Sequence, residues 1–387
     1  MLADPAATLG GLVQRERWEF AQLRAQFLLR HRRENAKAAD ESEKTLCTRC
    51  AIFLRGALAQ AVSRLTLGPV RKLFHRKSAD IKKSTNGVEH QQEAGAHKVG
   101  LKPEGDWRKR NFITSVWLPS LFKIRVGSAT KPLFPFLNDG QVGVTWIGHA
   151  SFLLQFAGCN VLIDPNWAKW LKVVKRLKRP GLEISHLPNI DLVLVTHAHF
   201  DHLDRRTLRK VAADQPIVVP FDCGNLVHDL GFQSVHELGY WEAYHHGPVG
   251  VTLTPCHHWG ARVLHDTHRG FGGFIIQCGG RTIYHCGDTA YFPGFKEIGK
   301  RFDIDIALMP IGAYDPPTGR EVHMNPEQAV VAFQELNAKL MVPMHYGSFR
   351  LSYEPLDEPL KRLRASARKH GVADRVAVMD EGKPLVF

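Results

Sequence analysis

Residues 194–204 read Leu-Val-Thr-His-Ala-His-Phe-Asp-His-Leu-Asp, with three histidines (His197, His199, His202) and two carboxylates (Asp201, Asp204). They follow the short, β-branched apolar run 190–195, the pattern of a buried strand that ends in a loop. At such a strand end His197 and His199, two residues apart, send both imidazoles to one side. Asp201 and His202 come next and reach a second position close by. One zinc normally takes four ligands in all, so four donors from one loop call for two metals sharing a bridging water. The rival reading is a surface loop rich in histidine. This spacing at a strand terminus argues against it.

Outward from this loop the pattern is one of short strands. Runs 142–147, 151–156 and 160–163 form a meander with turns at Gly148-His149 and Ala157-Gly158. Strands are expected again at 190–195, 217–219, 249–254, 273–278, 282–285, 304–309, 340–343 and 376–378. Helices are expected at 205–213, 327–337 and 358–370. Antiparallel strands come first and strand–helix alternation follows in both halves. The expected fold class is α/β, two sheets packed face to face with helices outside, a four-layer sandwich.

A two-metal site needs more donors than one loop holds, and later strand ends offer them. His257 and His258 stand together in Thr254-Pro-Cys-His-His-Trp259; Asp288 follows another strand and His345 a third. A carboxylate can bridge two cations where a neutral imidazole cannot, which makes Asp288 the natural bridge.

Composition limits the rest. The 387 residues carry a net charge of +13, concentrated at the N-terminus, where residues 1–110 hold 22 Lys/Arg against 12 Asp/Glu. Residues 12–37 and 50–75 are basic helical candidates, and 78–106 is a polar linker of disordered composition. Such an extension reads as a solvated tail, with anionic lipid or nucleic acid as the partners its charge would fit. Cys47-Thr-Arg-Cys50 lacks a second Cys/His pair and is weak as a metal site. Seven scattered cysteines make no secreted disulfide framework. Residues 1–11 show no signal peptide, and no apolar run nears ~18 residues, so nothing is expected to span a membrane. The expected compartment is a reducing cytoplasm, with peripheral membrane contact open. For that contact 167–179 stands out, with Trp167, Trp170, Leu171, Val174 and Leu177 at helical offsets among six basic residues. It reads either as an interfacial helix on anionic lipid or as an ordinary surface helix.

Thr196-His-Ala-His-Phe-Asp-His202, the later histidines and Gly287-Asp-Thr289 together resemble the metallo-β-lactamase superfamily. Longer strings narrow the likeness: Thr145-Trp-Ile-Gly-His-Ala150, Ile163-Asp-Pro165, Asp201-His-Leu-Asp204, His258-Trp259, Gly287-Asp-Thr-Ala-Tyr291, Glu297-Ile-Gly-Lys-Arg-Phe302 and Ile311-Gly-Ala-Tyr314. They are similar to the N-acylphosphatidylethanolamine-hydrolysing phospholipase D family, in order from about residue 107 to the C-terminus. The resemblance implies an αββα metallo-β-lactamase sandwich at 107–387 behind a basic, partly helical or disordered extension at 1–106. It implies one Zn2+ on His197, His199 and His258 and a second on Asp201, His202 and His345, with Asp288 shared. Trp259 selects His258 over His257. Asp164 is implied to brace the metal loop from behind, and His323 to donate to a substrate phosphate oxygen. Phe200 stands where the family often has Tyr, so a hydroxyl contact is lost.

The implied chemistry is zinc-dependent hydrolysis of a phosphodiester. A water held between two cations about 3.5–4 Å apart loses its proton near neutral pH and attacks phosphorus, with Asp201 orienting it. The products would be N-acylethanolamine and phosphatidic acid. Iron or manganese would suit the same donors. The rivals are a lactonase or other hydrolase of a soluble substrate, a nucleic-acid phosphodiesterase, and a non-catalytic scaffold carried by a basic anchoring arm, against which the intact donor set speaks. The expected partners are a phospholipid and, through 167–179 and the basic N-terminus, an anionic membrane. Nucleic acid is not expected, and a homodimer is left open.

Overall fold

The computed structural model describes residues 111–263, 266–319 and 321–387. The helical candidates 12–37 and 50–75, the Cys47/Cys50 pair and the linker at 78–106 lie outside the described residues, as do 107–110. In chain order the strands are β1 (Gly143–Gly148), β2 (Ser151–Phe156), β3 (Cys159–Ile163), β4 (Trp170–Leu171), β5 (Val174–Lys175), β6 (Leu192–Leu194), β7 (Ile217–Pro220), β8 (Val235–Leu238), β9 (Ala243–His246), β10 (Val249–Thr254), β11 (Gly273–Cys278), β12 (Arg281–His285), β13 (Ile306–Pro310), β14 (Leu340–Met344) and β15 (Pro384–Val386). The helices are α1 (Leu118–Phe122), α2 (Arg205–Val211), α3 (Gly294–Arg301), α4 (Pro326–Glu335) and α5 (Glu358–Lys369).

Two sheets carry the fold. One has the order β15-β1-β2-β3-β6-β7-β8 and the other β14-β13-β12-β11-β10-β9. In each an antiparallel meander passes into parallel strands, at β3–β6 and at β12–β13. The packing explains why β2 is apolar on both faces. Phe152 and Leu154 point between the sheets, against Phe274, Ile276 and Leu308. Leu153 points the other way, with Leu162, Val193 and Val195, under Leu208 and Val211 of α2. On the far side Phe295 of α3, Phe333 of α4 and Leu363 of α5 close the central core. Each such fully buried side chain stabilises the fold by about 1.5–3 kcal/mol. The result is the four-layer αββα sandwich.

Two helix starts follow their sequence signals. Asp204 caps α2, accepting from Thr207 N at 3.2 Å, and Asn325 with Gln328 forms a reciprocal capping box on α4 behind Pro326. Among the described residues no helix is long and apolar enough to cross a membrane.

Two expectations fail. The stretch 167–179 is not a helix: β4 and β5 pair as a tight hairpin, Leu171 opposite Val174, with Lys172 left-handed at φ 53°. Its helical spacing is a coincidence of separate contacts. Trp167 donates to Leu182 O at 2.8 Å, and Arg176, one of the six basic residues, is buried and donates to Asn166 O and Ala168 O. At 376–378 there is no strand, only a single parallel bridge from Val376 to Met341.

Candidate metal centre

The donors collect where strands of both sheets end. After β6 the chain is pinned from behind by Asp164, which is fully buried in a left-handed bend at φ 44°. Asp164 accepts from Thr196 N (2.7 Å), Thr196 Oγ1 (2.7 Å) and His202 Nδ1 (2.7 Å). The loop then closes on itself, with Leu203 N donating to His199 O at 2.8 Å. These bonds orient His202 so that only Nε2 faces inward.

The distant donors arrive on equally constrained backbone. Ala290 N donates to His257 O and His257 N to Thr289 Oγ1, a bridge that aligns 257–258 with 288–290. His257 is exposed, while His258 is buried and its Nδ1 is fixed on Val322 O at 2.9 Å, leaving Nε2 for the cluster. Gly287 turns the chain towards Asp288 at φ 63°, where a Cβ would meet Gly272 O at 2.7 Å. His345 is left-handed at φ 62°, held by its N–H on His149 O at 3.0 Å.

The structure thus brings His197, His199, Asp201, His202, His258, Asp288 and His345 together. His199 Nδ1 lies 3.0 Å from His197 Nε2 and 3.2 Å from His258 Nε2. Asp288 Oδ2 is 3.1 Å from His202 Nε2, 3.0 Å from His345 Nε2 and 3.9 Å from His197 Nε2. Asp201 Oδ2 is 3.4 Å from His345 Nε2 and 3.8 Å from His202 Nε2. Asp288 therefore stands between a triad of histidines and a set made of Asp201, His202 and His345. His323 joins the rim, its Nδ1 3.9 Å from Asp288 Oδ2.

The donor chemistry fits divalent cations. His199 Nε2, His323 Nδ1 and Asp288 Oδ1 are buried without a hydrogen bond, unpaired polar atoms of the kind that divalent cations satisfy. Ligand atoms about 2.0–2.1 Å from a tetrahedral zinc lie near 3.3 Å from one another, close to the spacing of the histidine triad. Burial and the facing imidazoles push His258 down to about 3 and hold His197 well below its usual value; burial pushes His199 down to about 4. Burial alone would raise Asp201 and Asp288, but His202 and its neighbours hold both well below the usual carboxylate range. Neutral imidazoles and ionised carboxylates are the states that bind zinc, iron or manganese. For His202 burial is outweighed by Asp288, Asp164 and Asp201, and for His345 by Asp288 and Asp201; both are raised, His345 to about 9.

One residue escapes the sequence reading. His149, read there only as part of a turn and a family string, is left-handed at φ 57° and buried. Its Nε2 lies 3.0 Å from Asp201 Oδ2, and its ring centroid is 4.0 Å from that of His345. A histidine after glycine at a strand end was the available signal. His149→Phe keeps a ring but removes the partner of Asp201. It is expected to weaken metal affinity about 10–100-fold, read by titration against a chromophoric chelator. Unchanged affinity would show that His149 only fills space. Phe200 has cations on its ring, Arg262 Cζ at 4.2 Å and Lys172 Nζ at 4.6 Å from the centroid, a role in which a hydroxyl takes no part.

Comparison with known proteins agrees with this geometry. A family model described as a beta-lactamase superfamily domain matches residues 159–346. The chain is 30% identical over 251 residues to N-acyl-phosphatidylethanolamine-hydrolyzing phospholipase D 1 of Caenorhabditis elegans, covering 59% of this chain and 70% of the relative. It is 32% identical over 247 residues to a UPF0173 metal-dependent hydrolase of Pyrobaculum arsenaticum, covering 62% of this chain and 98% of that one. Among solved structures it is similar to Igni18, a metallo hydrolase of Ignicoccus hospitalis, at 27% identity and TM-score 0.50, covering 64% of this chain and 98% of that one.

Proposed function

The chain belongs to the metallo-β-lactamase superfamily and, within it, to the N-acylphosphatidylethanolamine-hydrolysing phospholipase D family, and from that premise we propose that this metal-dependent hydrolase cleaves N-acylphosphatidylethanolamine to N-acylethanolamine and phosphatidic acid. The observation that carries the reading is the position of Asp288, in reach of both donor sets at once. One cation would be held by His197, His199, His258 and Asp288, a second by Asp201, His202, His345 and Asp288. Two such ions, zinc being the first expectation, supply Lewis acidity and bring the pKa of water towards neutrality.

The protein's own groups do the rest. Asp201, held by His149, orients the attacking water. His323 Nδ1, buried and without a hydrogen bond, is aimed into the cluster and is placed to donate to a phosphoryl oxygen. Trp259 is 42% exposed and packs on His199 at 4.6 Å between ring centroids, an apolar lip at the mouth of the site. In balance, water adds hydroxyl to phosphorus and a proton to the departing ethanolamide oxygen.

The test is a panel: purified full-length protein against N-acylphosphatidylethanolamine vesicles, a homoserine lactone and single-stranded RNA, with Asp201→Asn as blank. Release of N-acylethanolamine by the wild type alone is the expected result. Turnover of the lactone or RNA without release of N-acylethanolamine would replace the reading.

A further inference from the structure

We infer that an exposed apolar and basic face, formed by α1, the segment after it and the β4–β5 hairpin, docks on an anionic lipid surface. The inference deepens the proposed function, since a phospholipid substrate stays in its bilayer, but it stands on residues of its own. Leu118 (43% exposed), Phe122 (80%), Ile124 (87%), Val126 (60%), Trp170 (45%) and Val173 (62%) present their side chains to solvent. They belong to one surface. Trp117 Nε1 donates to Val173 O at 2.9 Å, Arg125 Nη2 donates to Lys169 O at 3.2 Å, and Arg125 Cζ lies 5.7 Å from the Trp170 ring centroid. Apolar side chains concentrated in this way mark a surface made to be covered.

Charge selects what covers it. Residues 111–138 and 165–182 contain nine Lys/Arg and not one Asp or Glu. Some of these cations are spent within the fold: Arg176 is buried, Lys175 Nζ is tied to Leu121 O and Lys123 O, and Lys178 pairs with Glu381. Lys123, Lys169, Lys172 and Arg179 remain exposed around the apolar residues. Aliphatic and aromatic groups ringed by cations suit an anionic interface, where the apolar groups enter the acyl boundary and the cations meet headgroups. Single-stranded nucleic acid is bound by stacking on rings, which Leu118, Ile124, Val126 and Val173 lack. The face also adjoins the chemistry. Lys172 covers the Phe200 ring, and Asn166 Nδ2 donates to Phe200 O at 3.0 Å, in the loop between His199 and Asp201. Docking here would bring the donor loop to the bilayer.

The experiment is sedimentation of the full chain with phosphatidylcholine vesicles, with and without phosphatidylserine, joined to hydrogen exchange on the same samples. Phe122→Glu combined with Ile124→Glu should lower partitioning at least about tenfold. Lys123→Gln combined with Lys169→Gln should lower it about tenfold on the anionic vesicles at low salt and leave neutral vesicles unchanged. Both variants should retain turnover of the soluble diester bis-p-nitrophenyl phosphate, which reports an intact fold. Exchange should slow at 117–126 and 169–176 when vesicles are added. Equal partitioning of wild type and the Phe122/Ile124 variant overturns the inference, as does protection confined to other segments, or binding of single-stranded RNA in place of vesicles. If vesicle binding falls as stated but N-acylphosphatidylethanolamine is not cleaved, the substrate reading fails and this one stands.

Discussion

Asp288→Asn is expected to lower turnover of N-acylphosphatidylethanolamine by about a thousandfold or more, with the fold retained. The residue is 2% exposed, and its Oδ2 is the point shared by His202, His345 and His197. An amide keeps the shape and loses the charge that a bridge between two cations needs. The carboxylate is held well below the usual range by its imidazole neighbours, which outweigh burial; it is therefore ionised at neutral pH, and the exchange removes a full charge. Product release by mass spectrometry gives the rate and circular dichroism the fold. A loss below about tenfold would mean that Asp288 is not the bridge.

Asp164→Ala should act more on stability. Asp164 is fully buried and satisfies three donors, Thr196 N, Thr196 Oγ1 and His202 Nδ1, each at 2.7 Å. Truncation takes the carboxylate acceptor from the Thr196 N–H and from His202 Nδ1 in the interior. Breaking a buried pair from one side costs about 3–5 kcal/mol, more than any exposed ion pair on the surface of this chain, where the median is about 0–1 kcal/mol. Metal affinity should fall roughly 10–100-fold as His202 loses its orientation. Urea unfolding and a metal titration read the two effects separately. A stability change under about 1 kcal/mol would show that the loop needs no brace.

What the sequence made legible has a physical pattern. The β1–β2–β3 meander and the central strands were readable because their apolar runs are bounded by turn residues such as Ala157-Gly158. β8 (Val-His-Glu-Leu) and β9 (Ala-Tyr-His-His) were missed because they lie at sheet edges with half-exposed, polar side chains. β15 is short and largely exposed, and α3 hides behind two glycines in Gly-Phe-Lys-Glu-Ile-Gly-Lys-Arg. The hairpin at 170–175 was misread because Leu171 and Leu177 are buried by separate contacts that mimic a helical stripe.

For the candidate site, the local cluster 197–202 spoke for itself. Nothing local separates His258 from His257, so their assignment rested on the resemblance; the structure buries one and exposes the other. For His149 the one local signal, a histidine after glycine at a strand end, says nothing of Asp201, 52 residues away, which it meets only through a left-handed bend.

Elemental analysis of the purified full-length chain tests the account most directly. After saturation with zinc and removal of the excess, about two ions per chain are expected in the wild type and fewer in Asp288→Asn. A wild-type chain that retains none, while staying folded and active on N-acylphosphatidylethanolamine, would contradict the account.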